Sequence, residues 1–259
     1  MKLFDSLIRA CISLKQPSHQ FRLQEIEKDA TKIERHLEKD HTFKYIICNG
    51  KPQQIKWDKV ITYEDPSGLK LPSDCYKKVK NERTSTMFVA HWDVCLSSKS
   101  CFKVLTKRKL SVHFLIDNDG TIYQIMDTNH IGYHAGNRKV NNTSIGVEIS
   151  NAYYPRYQKT YVQKQFGKRP VLSDSKVHGR TLEPHLGFYP VQQQAFAALA
   201  KALNKIYDIP LEVPRENDQL IKTIYKDACS GTFKGVVNHY HITKRKIDCA
   251  GFKIDEVIK

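Results

Sequence analysis

No stretch of the 259 residues approaches the ~20 consecutive apolar side chains of a membrane-crossing helix, which excludes a helical membrane span. The opening residues MKLFDSLIRACISLKQ do not read as a secretory signal either. Asp5 and Arg9 interrupt any apolar core, and no small-residue cleavage site follows. The expectation is synthesis in the cytoplasm, so a substrate beyond the membrane would be reached by another means of delivery. The seven cysteines (Cys11, Cys48, Cys75, Cys95, Cys101, Cys229, Cys249) contain no C-x-x-C pair, which argues against a four-thiolate zinc site. Their odd number and scatter argue against a disulfide framework and fit a reducing compartment, although Cys95 and Cys101 are close enough in sequence to bridge on export. There is no H-E-x-x-H, no zinc-finger or RNA-binding signature and no internal repeat. Acidic residues are scarce: 27 Asp and Glu against 42 Lys and Arg leave a net charge of +15. Such a chain is drawn to polyanions, whether nucleic acid, an anionic membrane surface or a bacterial wall carrying carboxylates and phosphates. Charge alone does not choose among them, and a basic surface kept for solubility fits as well.

Hydrophobic patterning divides the chain. Residues 22–39 place Leu23, Ile26, Ala30, Ile33 and Leu37 on one stripe, so 1–40 is expected to be a helical segment. Short β-like runs, KYIIC, QIKW and KVITY, separated by Asn49-Gly50 and Asp65-Pro66-Ser67-Gly68, make 41–82 a small β-rich accessory element. The basic stretch KKVKNERTST follows as a linker. From 83 to 259 strand patterns (MFVAHW, SVHFLID, TIYQIM, SIGVEIS) precede an amphipathic helix opened by Pro190, which predicts a mixed α/β fold: a central mixed β-sheet with flanking helices. In SIGVEIS the period of two puts Ile145, Val147 and Ile149 on one face and Glu148 on the other. Residues 152–189 lack periodicity and read as a long inserted surface loop.

Of eleven histidines, His19, His36, His41, His130, His178 and His185 are isolated and read as surface or core residues. His91, His113, His134, His239 and His241 lie in or beside strand-like segments. A catalytic zinc site needs three protein ligands and one open position. His91, His239 and either Asp248 or Cys249 can supply them from strand and loop ends.

The segments AHWDV, SVHFLIDNDGTIYQIMD, GYHAG, SIGVEIS and VVNHYHITKRKIDCAGF follow one another in a particular order. In that order they resemble the zinc amidase family of bacterial N-acetylmuramoyl-L-alanine amidases, phage endolysins and animal peptidoglycan-recognition proteins. The resemblance covers roughly 87–151 and 188–252. It implies zinc (Zn2+) held by His91, by His239 in VVNHYHI, and by Asp248, with Lys246 two residues before it in RKID. Cys249 stands where the family usually has proline, and some members use a Cys eight residues after the His. The pair His241 and Cys249 therefore stays open as the alternative. The resemblance further implies Glu148 as general base, Lys246 as oxyanion stabiliser, and His113 and His134 lining the substrate cleft. The implied reaction is hydrolysis of the bond between N-acetylmuramic acid and L-alanine in peptidoglycan, by a monomer acting on the cell wall, for example as a phage lysin. A non-catalytic peptidoglycan-binding module is the rival reading. A nucleic-acid partner, suggested only by basic runs such as KVLTKRK and ITKRK, is not expected.

Overall fold

The computed structural model describes residues 43–259; the expected helix at 22–39, with Cys11, His19, His36 and His41, lies outside them. The described chain opens with the hairpin β1 (Phe43–Cys48) and β2 (Lys51–Lys56). Asn49 and Gly50 turn it with φ of 53° and 71°, the double positive φ that an Asn-Gly pair adopts at low cost. Then come β3 (Val60–Ile61), β4 (Tyr76–Lys77), β5 (Met87–Trp92), helix α1 (Ser98–Arg108), β6 (Phe114–Ile116), β7 (Ile122–Gln124), β8 (Ile131–Gly132), α2 (Arg138–Thr143) and β9 (Ser144–Ile149). After α3 (Gln158–Gln163) lie the short strands β10 (Val171–Leu172), β11 (Lys176–Val177), β12 (Arg180–Thr181) and β13 (His185–Leu186). The long helix α4 (Pro190–Tyr207), β14 (Arg215–Glu216), β15 (Gln219–Leu220), α5 (Lys226–Ser230), β16 (Gly235–Asn238) and α6 (Ile254–Val257) complete the chain.

Six strands form one mixed sheet in the order β16-β5-β9-β6-β7-β3. β16, β5, β9 and β6 run parallel, and β7 returns antiparallel to β6. The central strand β5 is buried at every residue, which explains its nearly continuous apolar run. On one face Phe88, Ala90, Ile145, Val147, Ile149 and Val236 pack with Phe196, Leu199 and Leu203 of α4. Phe88 and Phe196 stack with centroids 5.0 Å apart, and Phe252 meets Phe196 edge-on at 5.0 Å. On the other face Met87, Val89 and Val237 join Ala135, Val140, Ala228 and Ile242, while Leu115 and Ile125 meet Cys101 and Leu105 of α1. Pro190 begins α4 where a missing N–H costs nothing.

Two parts of the expected organisation pack differently. The β-rich element at 41–82 is not a separate body, since Ile46, Cys48 and Ile55 enter the core cluster that holds α4. β3 pairs with β7 at the sheet edge, and Trp57 Nε1 donates to Gly120 O at 2.8 Å. A lone two-stranded hairpin is marginal in water, so it docks where an apolar face is available. The described residues Phe43–Lys259 form one compact unit instead. The segment 152–189 is built of short elements around a buried cation. Arg169 Nη1 donates to Gly187 O at 2.8 Å, and Nη2 donates to Ser150 O at 2.8 Å and to Asn118 Oδ1. The guanidinium lies 4.4 and 4.3 Å from the ring centroids of Tyr161 and Tyr189, so one buried cation ties the segment together beside the small apolar cluster of Ala152, Tyr161 and Leu186.

Truncating Phe196 to Ala removes a fully buried ring from the main core and should cost about 3–5 kcal/mol in urea denaturation. Phe166→Ala, at a ring 38 % exposed, should stay within roughly 0.5 kcal/mol of the parent.

Candidate metal centre

Parallel pairing sets His91 of β5 opposite Glu148 of β9, and Ala90 opposite Asn238 of β16, so His239 follows level with His91. Side chains alternate along a strand. Because Ala90 and Val147 face α4, His91 and Glu148 leave by the opposite face, at the C-terminal ends of neighbouring parallel strands. The chain then turns through a 3-10 turn, His239–His241, and Tyr240 N donates to Asp248 O at 2.9 Å, which folds Asp248 back under the two imidazoles.

His91, His239 and Asp248 are buried and converge. His91 Nδ1 is 2.9 Å from His239 Nδ1 and 3.2 Å from Asp248 Oδ2, and His239 Nδ1 is 3.0 Å from the same oxygen. Burial pushes the His91 imidazole down to about 4, and His239 adds to that effect. Burial alone would raise the Asp248 carboxyl, but the imidazoles, His239 foremost, hold it well below the usual carboxylate range. Two imidazoles and one carboxylate thus converge on one small space. Tetrahedral zinc, with ligands at roughly 2.0–2.1 Å, separates its donors by about 3.3 Å. The cluster is slightly tighter than that and matches it in donor type, so the residues present fit a zinc ion.

The alternative pair is not brought to this point. His241 is buried with Nδ1 accepting from Asn238 N at 3.0 Å and Nε2 donating to Ile221 O at 2.7 Å. Cys249 lies in the apolar cluster beside α4, and burial raises its thiol well above the usual value. Asp93, Cys95 and Cys101 form a second group with ligand atoms within 4.8 Å of one another. There the Asp93 carboxylate already accepts from Cys95 N, Asn151 N and Ser150 Oγ at 2.8–2.9 Å, tying the end of β5 to the end of β9. Cys95 and Cys101 are unbridged.

Glu148 has one oxygen, Oε2, that is enclosed and without a hydrogen-bond partner. Burial, then Asp93 and Asp248, raise its carboxyl well above the usual range, with Lys246 opposing. Lys246 is exposed on the rim of an open cleft of about 370 Å³ that is also lined by His134, His239, Tyr133, Thr243 and Arg245. His113, expected on the cleft, is instead a core residue. It is fully buried, with Nδ1 accepting from Gly146 N at 3.0 Å and Nε2 donating to His130 O at 2.9 Å. Both its nitrogens are taken by backbone, so it has nothing to offer a ligand. Tyr133, Thr243 and Arg245 carry no sequence period that would single them out; only the basic run ITKRK hinted at Arg245.

A family model described as N-acetylmuramoyl-L-alanine amidase matches residues 81–251. No curated protein sequence matches the chain. Among solved structures, the amidase AmiD from E. coli is similar at 21 % identity over 52 % of this chain and 49 % of its own, with a TM-score of 0.36. The chain therefore spans about half the length of that enzyme. The amidase LysC from Clostridium intestinale shares 16 % identity over 74 % of this chain and 95 % of its own, TM-score 0.43. A mutant endolysin from Bacillus subtilis shares 17 % over 77 % and 98 %, TM-score 0.42.

Elemental analysis after dialysis should find about one zinc per folded chain in the parent, and none in His239→Ala or Asp248→Ala, because losing one of three ligands releases the ion. His241→Ala and Cys249→Ala should keep it. Zinc retained by His239→Ala and lost by His241→Ala would move the centre to the other histidine.

Proposed function

The chain belongs to the N-acetylmuramoyl-L-alanine amidase family, and we propose that it is a zinc hydrolase cutting the amide between N-acetylmuramic acid and the first alanine of peptidoglycan. The observation that carries this reading is the convergence of His91, His239 and Asp248 within 3.2 Å of one another, beside a carboxylate with an unpartnered oxygen.

His91, His239 and Asp248 would hold the ion. Zinc bound there supplies a Lewis acid for the scissile carbonyl and lowers the pKa of water. Glu148 is the general base. Its raised proton affinity suits a group that must take a proton from the attacking water and keep it until the amine departs. Lys246, on the cleft rim and close enough to act on the charge of Glu148, sets a positive charge beside the oxyanion that develops on the lactyl carbonyl. Its neighbour Arg245 and the net charge of +15 attract the anionic stem peptides, an attraction that salt screens. All three ligands and the base come from one chain, so a monomer suffices. The site of action is the cell wall, as for a lysin.

Glu148→Gln should keep its zinc and its fold while lowering turnover about 10²–10⁴-fold. Mass analysis of purified peptidoglycan after digestion is the measurement, with free muramic acid ends and released alanyl peptides as the product. Binding of peptidoglycan by the zinc-loaded parent without any such cleavage would reassign the protein as a recognition module.

A further inference from the structure

The cleft residue His134 is connected in a way that substrate contact does not require. Its Nε2 lies 3.3 Å from Ser144 Oγ, and its Nδ1 lies 3.0 Å from His91 Nε2. Building on the metal centre described above, we propose that His134 is a positioning residue that fixes the tautomer of His91, so that the lone pair of His91 Nδ1 faces the ion.

The direction of each hydrogen bond follows from the one before it. Ser144 Oγ is 2.6 Å from Val140 O. A carbonyl oxygen can only accept, and a hydroxyl has one hydrogen, so that hydrogen is committed to Val140. Towards His134 the Ser144 oxygen can therefore only accept, and His134 must carry its hydrogen on Nε2. The other nitrogen of a neutral imidazole, Nδ1, is then an acceptor. Two bare nitrogens at 3.0 Å would repel, so His91 carries its hydrogen on Nε2 and donates it to His134. That leaves Nδ1 of His91 bare, and this is the atom at 2.9 Å from His239 Nδ1 and 3.2 Å from Asp248 Oδ2. An outer partner that fixes a ligand histidine in this way commonly governs metal affinity.

The ring of His134 is held in place by more than its hydrogen bonds. A Cβ at Gly146 would come within 2.9 Å of His134 Cγ and Nδ1, so the bare backbone of β9 at that glycine is what lets the ring lie against the strand. The His91 and His134 rings meet edge-on, with centroids 5.1 Å apart at 86°. Asn141 Oδ1 accepts from His134 N at 3.3 Å and from Ala135 N at 2.9 Å, fixing the backbone that carries the ring. His239 has no comparable support, because its Nε2 is buried without a partner.

The test uses the full chain and its variants His134→Ala and His134→Gln. Long-range ¹H–¹⁵N correlation spectra of the zinc-free proteins report which ring nitrogen of His91 carries hydrogen, and competition with a chromophoric chelator gives zinc affinity. The parent should show His91 protonated on Nε2. His134→Ala should show a mixed or reversed tautomer and zinc binding weaker by about 10–100-fold. The Gln variant should recover much of both, since its amide oxygen can accept from His91 Nε2 while its NH₂ donates to Ser144. A His134→Ala protein with the parental His91 tautomer and zinc affinity, altered only in KM, would overturn the proposal and return His134 to a substrate contact. If His134→Ala does not fold, Ser144→Ala decides instead: without the acceptor that holds the His134 hydrogen on Nε2, a mixed His91 tautomer supports the relay, and the parental tautomer and affinity overturn it. The tautomer measurement needs no metal. Were the parent to bind no zinc, the metal-centre reading would fall while the spectra still decided whether His134 sets His91.

Discussion

Backbone hydrogen bonding in β16, β5 and β9 holds His91 opposite Glu148 and brings His239 level with both. A one-residue slip in any of these strands would turn its polar residue into the apolar layer beneath α4, and an aliphatic residue out to the cleft. Register is therefore enforced by the core itself. Ile145, Val147, Ile149, Phe88 and Val236 are buried against Phe196 and Leu203, and each such side chain is worth about 1.5–3 kcal/mol of burial. The reactive groups ride on a pairing that the apolar face has already decided.

Once assembled, the cluster has an electrostatic problem that a cation solves. Two imidazoles and a carboxylate with acceptor atoms 2.9–3.2 Å apart have lost their water, and desolvated polar groups without compensation are costly. A divalent ion held there would turn that mutual repulsion into coordination, which would link metal affinity to the stability of the fold. Glu148 is placed differently, with one oxygen enclosed and unpartnered and its proton affinity raised by burial. Of two carboxylates near one centre, the one met by imidazoles is held low, and the one raised by burial and then by other acids is Glu148.

Strand patterns with a period of two are legible in the sequence: the alternation of SIGVEIS by itself turns Glu148 away from the core, and MFVAHW is buried throughout as a parallel central strand should be. Interactions across long separations were not readable. Trp57 reaches Gly120 and β3 reaches β7 across some sixty residues, so a segment with its own turn signals looked independent while it was completing a sheet. Arg169 was equally silent, since one arginine within a polar stretch carries no period. His113 and His134 look alike in sequence. They differ in that the first spends both nitrogens on backbone, and the second meets the His91 imidazole on one side and a hydroxyl on the other.

The pairs His239 with Asp248 and His241 with Cys249 are separated by a 3-10 turn that no spacing rule resolves. Residues two apart in such a turn project in different directions, so only one of the two histidines can share the side of His91. The next residue along shows the same sorting. Asp248 turns towards the imidazoles, and Cys249 turns into the apolar cluster with Phe252 and Ala250. There burial raises the thiol and the Asp248 charge raises it further. A thiolate ligand would need an uncompensated charge in that apolar layer, whereas the carboxylate sits beside two imidazoles that hold its proton affinity down. Soft-ligand chemistry favours sulfur for zinc in the abstract, but it is the carboxylate, not the thiol, that lies on the side of His91.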